Sequence, residues 1–152
     1  MIELLLISAL MCAALLVGNE FTVGVFINPA FGRLPEVPQA LAARETARIY
    51  GKVMPFWMAL NLILSVLLVI LPSNRNSSEW WFFLSAAILF AFVIVFSIVF
   101  PVPINKRIAS WDANNLPDDW RDLRQRFDLL HAFRVLLLLT ALVCLIFGAL
   151  RR

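Results

Sequence analysis

The chain of 152 residues is 62% hydrophobic and 15% charged, with a mean hydropathy of +0.86. Soluble domains run at roughly 45–50% apolar and about 25% charged residues, so this is the composition of an integral membrane protein, and the length suits one compact bundle. The formal net charge of +3 is small and no basic stripe interleaves with aromatics, which argues against nucleic acid. Cys12 and Cys144 lie far apart in apolar runs with no CxxC spacing, which argues against a thiol relay or a structural zinc site.

A membrane span needs about 20 mostly apolar residues, and four runs meet that length. The spans expected are Ile2–Ala30, Val53–Leu71, Trp80–Phe100 and Leu129–Leu150, together one four-helix membrane domain over residues 1–152. The fold class expected is therefore an all-α membrane protein, a four-transmembrane-helix bundle. The first run reads as a retained span rather than a cleaved leader. Glu3 stands where a leader has positive charge, and the run continues into Gly18, Asn19 and Glu20 without an A-x-A site.

Two connections are long. Gly32–Lys52 opens on a proline-rich turn and becomes a helical stretch, QALAARETARIYGK, in which Arg44, Arg48 and Lys52 share one face. Val102–Asp128 carries a turn at Asn114, Asn115 and Leu116, then Pro117 at the expected first helical position with Asp118 and Asp119 in the first turn. The second and fourth helices are thus expected to start outside the bilayer and run into it. Pro72–Ser78 reads as a short turn followed by interfacial Trp80 and Trp81. Most arginines and lysines lie on the long connections, against Arg75, Arg151 and Arg152 on the other side. That asymmetry places the connections in the cytoplasm of a bacterial inner (plasma) membrane that the chain crosses in multiple passes.

Polar residues at membrane depth are costly and usually face a bundle interior or cavity. Glu20, Gly24 and Asn28 recur at steps of four in the first span and form one polar–small–polar face. The plain alternative is a helix-packing stripe. Trp120, Arg124, Phe127, His131 and Arg134 recur at heptad-like spacing on the last helix. His131 can exchange protons near neutral pH, and Arg134 can hold an anion or pair with Glu20. The alternative there is an interfacial histidine with a snorkelling arginine. The prolines of PVPIN, Pro101–Asn105, are expected to bend the end of the third span into non-helical backbone, with Asn105 exposed to a cavity. Pro55 is read as an interruption of the second helix, and Asn61 below it as a bond to a neighbouring helix. These features fall toward one membrane level, which favours a shared pocket.

The stretch FTVGVFINPAFGRLP resembles the first-span motif of the small, four-span anthrone oxygenase-like membrane proteins. FPVPINKRIASWD followed by Trp120, His131 and Arg134 resembles their second motif, an asparagine–proline turn and a late H-x-x-R. Pro101 stands where that family commonly has asparagine. The resemblance implies a four-helix membrane fold and, from characterised members, oxidation of anthrones to anthraquinones with molecular oxygen. The leading expectation is then a membrane oxygenase or related oxidoreductase acting on a hydrophobic aromatic or quinone-like molecule. His131 or Glu20 is the candidate base, and Arg134 and Asn105 are the candidate stabilisers of an enolate-like oxygen. Asn28, Trp120, Phe127 and Arg48 are candidate substrate contacts, the aromatics by stacking.

A single transition metal held by Glu20 and His131, with Asn105 or Asp128, stays open beside a cofactor-free reaction. The alternative function is a non-enzymatic bundle that binds a lipid or small ligand, or an assembly partner of a larger membrane complex. Expected partners are a hydrophobic small molecule and the lipid bilayer, with a homo-oligomer left open. Replacing Glu20 by glutamine or His131 by alanine is expected to abolish turnover or binding and spare the fold.

Overall fold

The four apolar runs become four long helices in the protein's structure, a computed structural model that describes residues 2–72, 77–112 and 115–152. Most of the expected Pro72–Ser78 turn, with Arg75, lies outside those residues, as does Asn114. Among the described residues the elements are all helical: α1 (Ile2–Thr22), a wider π turn (Val23–Ile27), α2 (Asn28–Phe31), α3 (Glu36–Ile70), α4 (Ser78–Val99), α5 (Pro101–Ala109) and α6 (Trp120–Leu150). α1, the π turn and α2 form one rod, Ile2–Phe31, and this rod, α3, α4 and α6 are each long and apolar enough to cross a membrane.

Local chemistry sets the helix ends. Pro35 precedes α3, with Glu36 in its first turn, where a negative charge complements the helix dipole. At 35 residues and about 1.5 Å per residue, α3 outruns a hydrocarbon core of about 30 Å. Ser77 caps α4 by accepting from the Trp80 amide, and the Trp80 indole donates to the Val69 carbonyl at 3.0 Å, tying α4 to the end of α3.

Three proline expectations are corrected. PVPIN is helical: the chain breaks at Phe100 and Pro101 opens α5. Proline is tolerated in a first turn because its missing N–H would have no helical partner there. Pro55 lies inside an unbroken α3. Pro117 sits before α6, which starts at Trp120, and its carbonyl accepts the Trp120 amide at 3.1 Å.

Two cores result. The larger fills the bundle among α1, α3, α4 and α6, with Leu16, Leu68, Phe90, Leu138 and Leu145 fully buried. The smaller lies under the polar connections. Ala40, Ala43 and Ala47 of α3 let Ile108, Trp111, Trp120 and Leu123 pack close, and the two tryptophans meet edge-on at 6.0 Å. Arg48 donates to the Ala109 carbonyl at 3.0 Å and Arg44 to that of Trp111 at 3.4 Å, so this basic face satisfies the last carbonyl of α5 and one in the connection just beyond it.

α4 packs most extensively on α6, and Gly148 sets their spacing: a Cβ there would lie 2.5 Å from Cε1 of Phe83, itself buried. Gly148→Ala is expected to cost about 1–3 kcal/mol by overpacking, read as a lower unfolding temperature in detergent. An unchanged temperature would mean that the Phe83 ring has room to retreat.

Candidate functional site

The site begins at the π turn. Pro29 brings no N–H to the rod, and just before it the Asn28 amide reaches back five residues to the Val23 carbonyl. Such wide turns recur at functional positions in helices. Gly24 lies inside the turn, and a Cβ there would stand 3.2 Å from Cδ2 of His131 and 3.3 Å from Nε2. With a side chain at this position the ring would have to draw back by a few tenths of an ångström. His131 Nε2 lies 3.0 Å from the Glu20 main-chain carbonyl.

Glu20, His131 and Arg134, from opposite ends of the sequence, meet in the bundle interior, with Glu20 at 1% exposure and His131 at 2%. Arg134 Nη2 donates to Glu20 Oε2 at 2.5 Å and also stands 3.0 Å from His131 Nδ1. The Glu20 carbonyl can only accept and the guanidinium can only donate. The ring therefore carries its proton on Nε2, and its Nδ1 lone pair receives Arg134. Glu20 Oε2 waits 3.5 Å from Nδ1. Two atoms of the cluster, Glu20 Oε1 and Arg134 Nε, are buried without a hydrogen-bond partner.

A second polar triangle closes beside it. Arg124 Nη2 donates to Asn28 Oδ1 at 2.6 Å, Asn28 Nδ2 donates to Asp128 Oδ1 at 2.9 Å, and Arg124 pairs with that same oxygen at 3.1 Å. One carboxylate thus answers each guanidinium. Sequence reasoning placed Arg124 on the right helix face and gave it no role; its partner, a buried Asn28, was the missing signal.

The cluster borders open space. A cavity of about 320 Å³ lies between α3, α4 and α5, lined by Met54, Met58, Ile94, Val102 and other apolar groups, with Asn105, Phe127 and Arg134 among its walls. A recess of about 30 Å³ adjoins it, reaching Asn28, Arg124 and His131 and sharing Tyr50, Asn105, Phe127 and Arg134. That recess has room for a water molecule or two. Phe127 stacks on His131 with ring centroids 6.0 Å apart. Asn105 donates to the Ala47 carbonyl at 2.9 Å, leaving one amide N–H and its Oδ1.

The sequence candidates therefore divide. His131, Arg134, Asn105 and Phe127 come together at the cavity and its recess, and Glu20, which lines neither, stands behind them on Arg134 and His131. Asn28 reaches the recess, but both amide atoms are engaged by Arg124 and Asp128. Trp120 and Arg48 line neither space: one is packed in the smaller core, the other holds the end of α5. Tyr50 and Ser97, not singled out from the sequence, both line the large cavity. Among the described residues no three histidine, cysteine, aspartate or glutamate side chains are grouped to hold a metal ion, and the Arg134 guanidinium occupies the place between Glu20 and His131 where a cation would have to bind.

Comparison with known proteins places this geometry in context. No curated protein and no solved structure matches the chain. The family model described as anthrone oxygenase matches residues 46–144, from the part of α3 under the smaller core to the last two turns of α6; Glu20 and Asn28 fall before it. With most of the chain covered, including Asn105, His131 and Arg134, the protein belongs to the anthrone oxygenase family.

Proposed function

We propose that the protein is a membrane oxygenase that converts an activated methylene of a flat, hydrophobic, anthrone-like molecule to a ketone with dioxygen. We place it in a bacterial inner membrane, as one four-helix domain. The observation that carries this reading is a largely apolar cavity with Arg134, Asn105 and Phe127 in its wall and the Glu20–His131 pair directly behind. Its volume falls within the range of small-molecule sites, roughly 300–1,000 Å³.

The ring oxygen of the ligand takes the guanidinium of Arg134 from His131, which frees the Nδ1 lone pair. A C–H bond of the methylene then breaks. Its proton passes to Nδ1, where Glu20 Oε2 steadies the imidazolium, and the electron pair spreads onto the oxygen held by Arg134. This carbanion bonds to dioxygen, and the proton on His131 returns to the peroxide. Loss of the second methylene proton with cleavage of the O–O bond leaves the ketone and releases water. One oxygen atom ends in the ketone and the other in water.

The test is oxygen uptake by the protein in lipid nanodiscs with anthrone as substrate, followed together with anthraquinone absorbance. Protein-dependent uptake equimolar with ketone formation is expected. Ring binding without uptake would instead make the chain a ligand-binding bundle.

A further inference from the structure

Hydroxyl groups on membrane helices ordinarily turn back to the carbonyl one turn earlier. Three lipid-facing ones here do so: Thr22 to Gly18 at 2.8 Å, Ser85 to Trp81 at 2.8 Å and Thr140 to Leu136 at 2.9 Å. Ser97, near the end of α4, does not. Its Oγ is buried with no hydrogen-bond partner, although the residue is only 4% exposed. It also lines the large cavity, among Ile94, Ile98, Met54 and Met58. Ser65 on α3 likewise lacks a partner but lines neither space. A buried hydroxyl without a partner is costly. A serine that lines a ligand-sized space needs only a turn about its χ1 to present the hydroxyl to it, and is satisfied when the ligand brings a hydroxyl there.

We infer that Ser97 is a specificity-determining residue, which binds a hydroxyl on the ligand's ring and so selects hydroxylated aromatic rings over those without a hydroxyl. It acts from α4, separately from Arg134 on α6 and Asn105 on α5. Being able to donate or accept, it can pair with a ring hydroxyl in either sense. This inference rests on the cavity being the ligand site proposed above. A site built around a hydrogen bond discriminates strongly against a ligand lacking the group, because its own polar atom is then left unpaired.

The test uses two unreactive probes, anthraquinone and 2-hydroxyanthraquinone, titrated against the protein in nanodiscs by tryptophan quenching. Wild type is expected to bind the hydroxylated ring about three- to tenfold more tightly, the span of one net hydrogen bond. Ser97→Ala is expected to lose that preference while holding its affinity for anthraquinone, and Ser97→Thr, which keeps a hydroxyl, to retain part of it. If both rings bind and Ser97→Ala leaves the preference unchanged, or weakens both rings equally, Ser97 does not read a ring hydroxyl and only this inference falls. If neither ring binds, the proposed ligand site falls too, and this inference with it.

Discussion

Replacing Glu20 by glutamine is expected to destabilise the bundle by about 3–5 kcal/mol, the usual cost of removing one partner from a buried ion pair. The side chain keeps its size, so packing is not the cause. Arg134, 8% exposed, is left with its charge facing a neutral amide. The double variant Glu20→Gln/Arg134→Gln removes both charges and is expected to recover most of the loss, because a buried pair replaced as a unit is often close to neutral. Unfolding in mild detergent measures both. A double variant no more stable than Glu20→Gln alone would show that the loss comes from something other than the unpaired guanidinium. This revises the sequence-based expectation that Glu20→Gln spares the fold: a carboxylate that holds an arginine across two helices is part of the structure as well as of the site.

His131→Gln is expected to lower turnover by about 10²–10⁴-fold, the usual contribution of a positioned general base, with ring affinity little changed. Glutamine can still donate to the Glu20 carbonyl that now receives Nε2, so the packing against Gly24 is disturbed as little as a substitution allows. Oxygen uptake measures the rate. Incubation of anthrone with the protein in deuterated buffer without oxygen isolates the proton transfer: wild type exchanges the methylene hydrogens, and His131→Gln does not. Exchange that persists at the wild-type rate would move the base to another group, Glu20 being the neighbour with an unpartnered oxygen.

The spans were legible because each is a long apolar run, and a charge in such a run stands out by its cost. Glu20, His131 and Arg134 were found on that ground, and the depth shared by their helices suggested that they meet. The rest depended on tertiary contacts. The π turn exists where Pro29 and the approach of His131 to Gly24 coincide, and neither element shows this alone. Trp120 and Arg48 sat in polar connections and read as ligand contacts, yet the connections build a core of their own on Ala40, Ala43 and Ala47. Ser97 was hidden because a serine in a membrane helix normally bonds to its own backbone, and only the structure shows that this one does not.

The large cavity also has a side as well as an end. Pro55, Ala59 and Ile98 line it and are themselves exposed, on stretches of α3 and α4 that are apolar enough to lie within the bilayer. A ring that reaches Arg134 past these three residues arrives by diffusing in the plane of the membrane. Its supply is then set by its mole fraction among the lipids, and dilution of the surrounding water matters little. For such a site, more lipid per protein at fixed total substrate acts as a diluent, and the bilayer serves as the substrate reservoir.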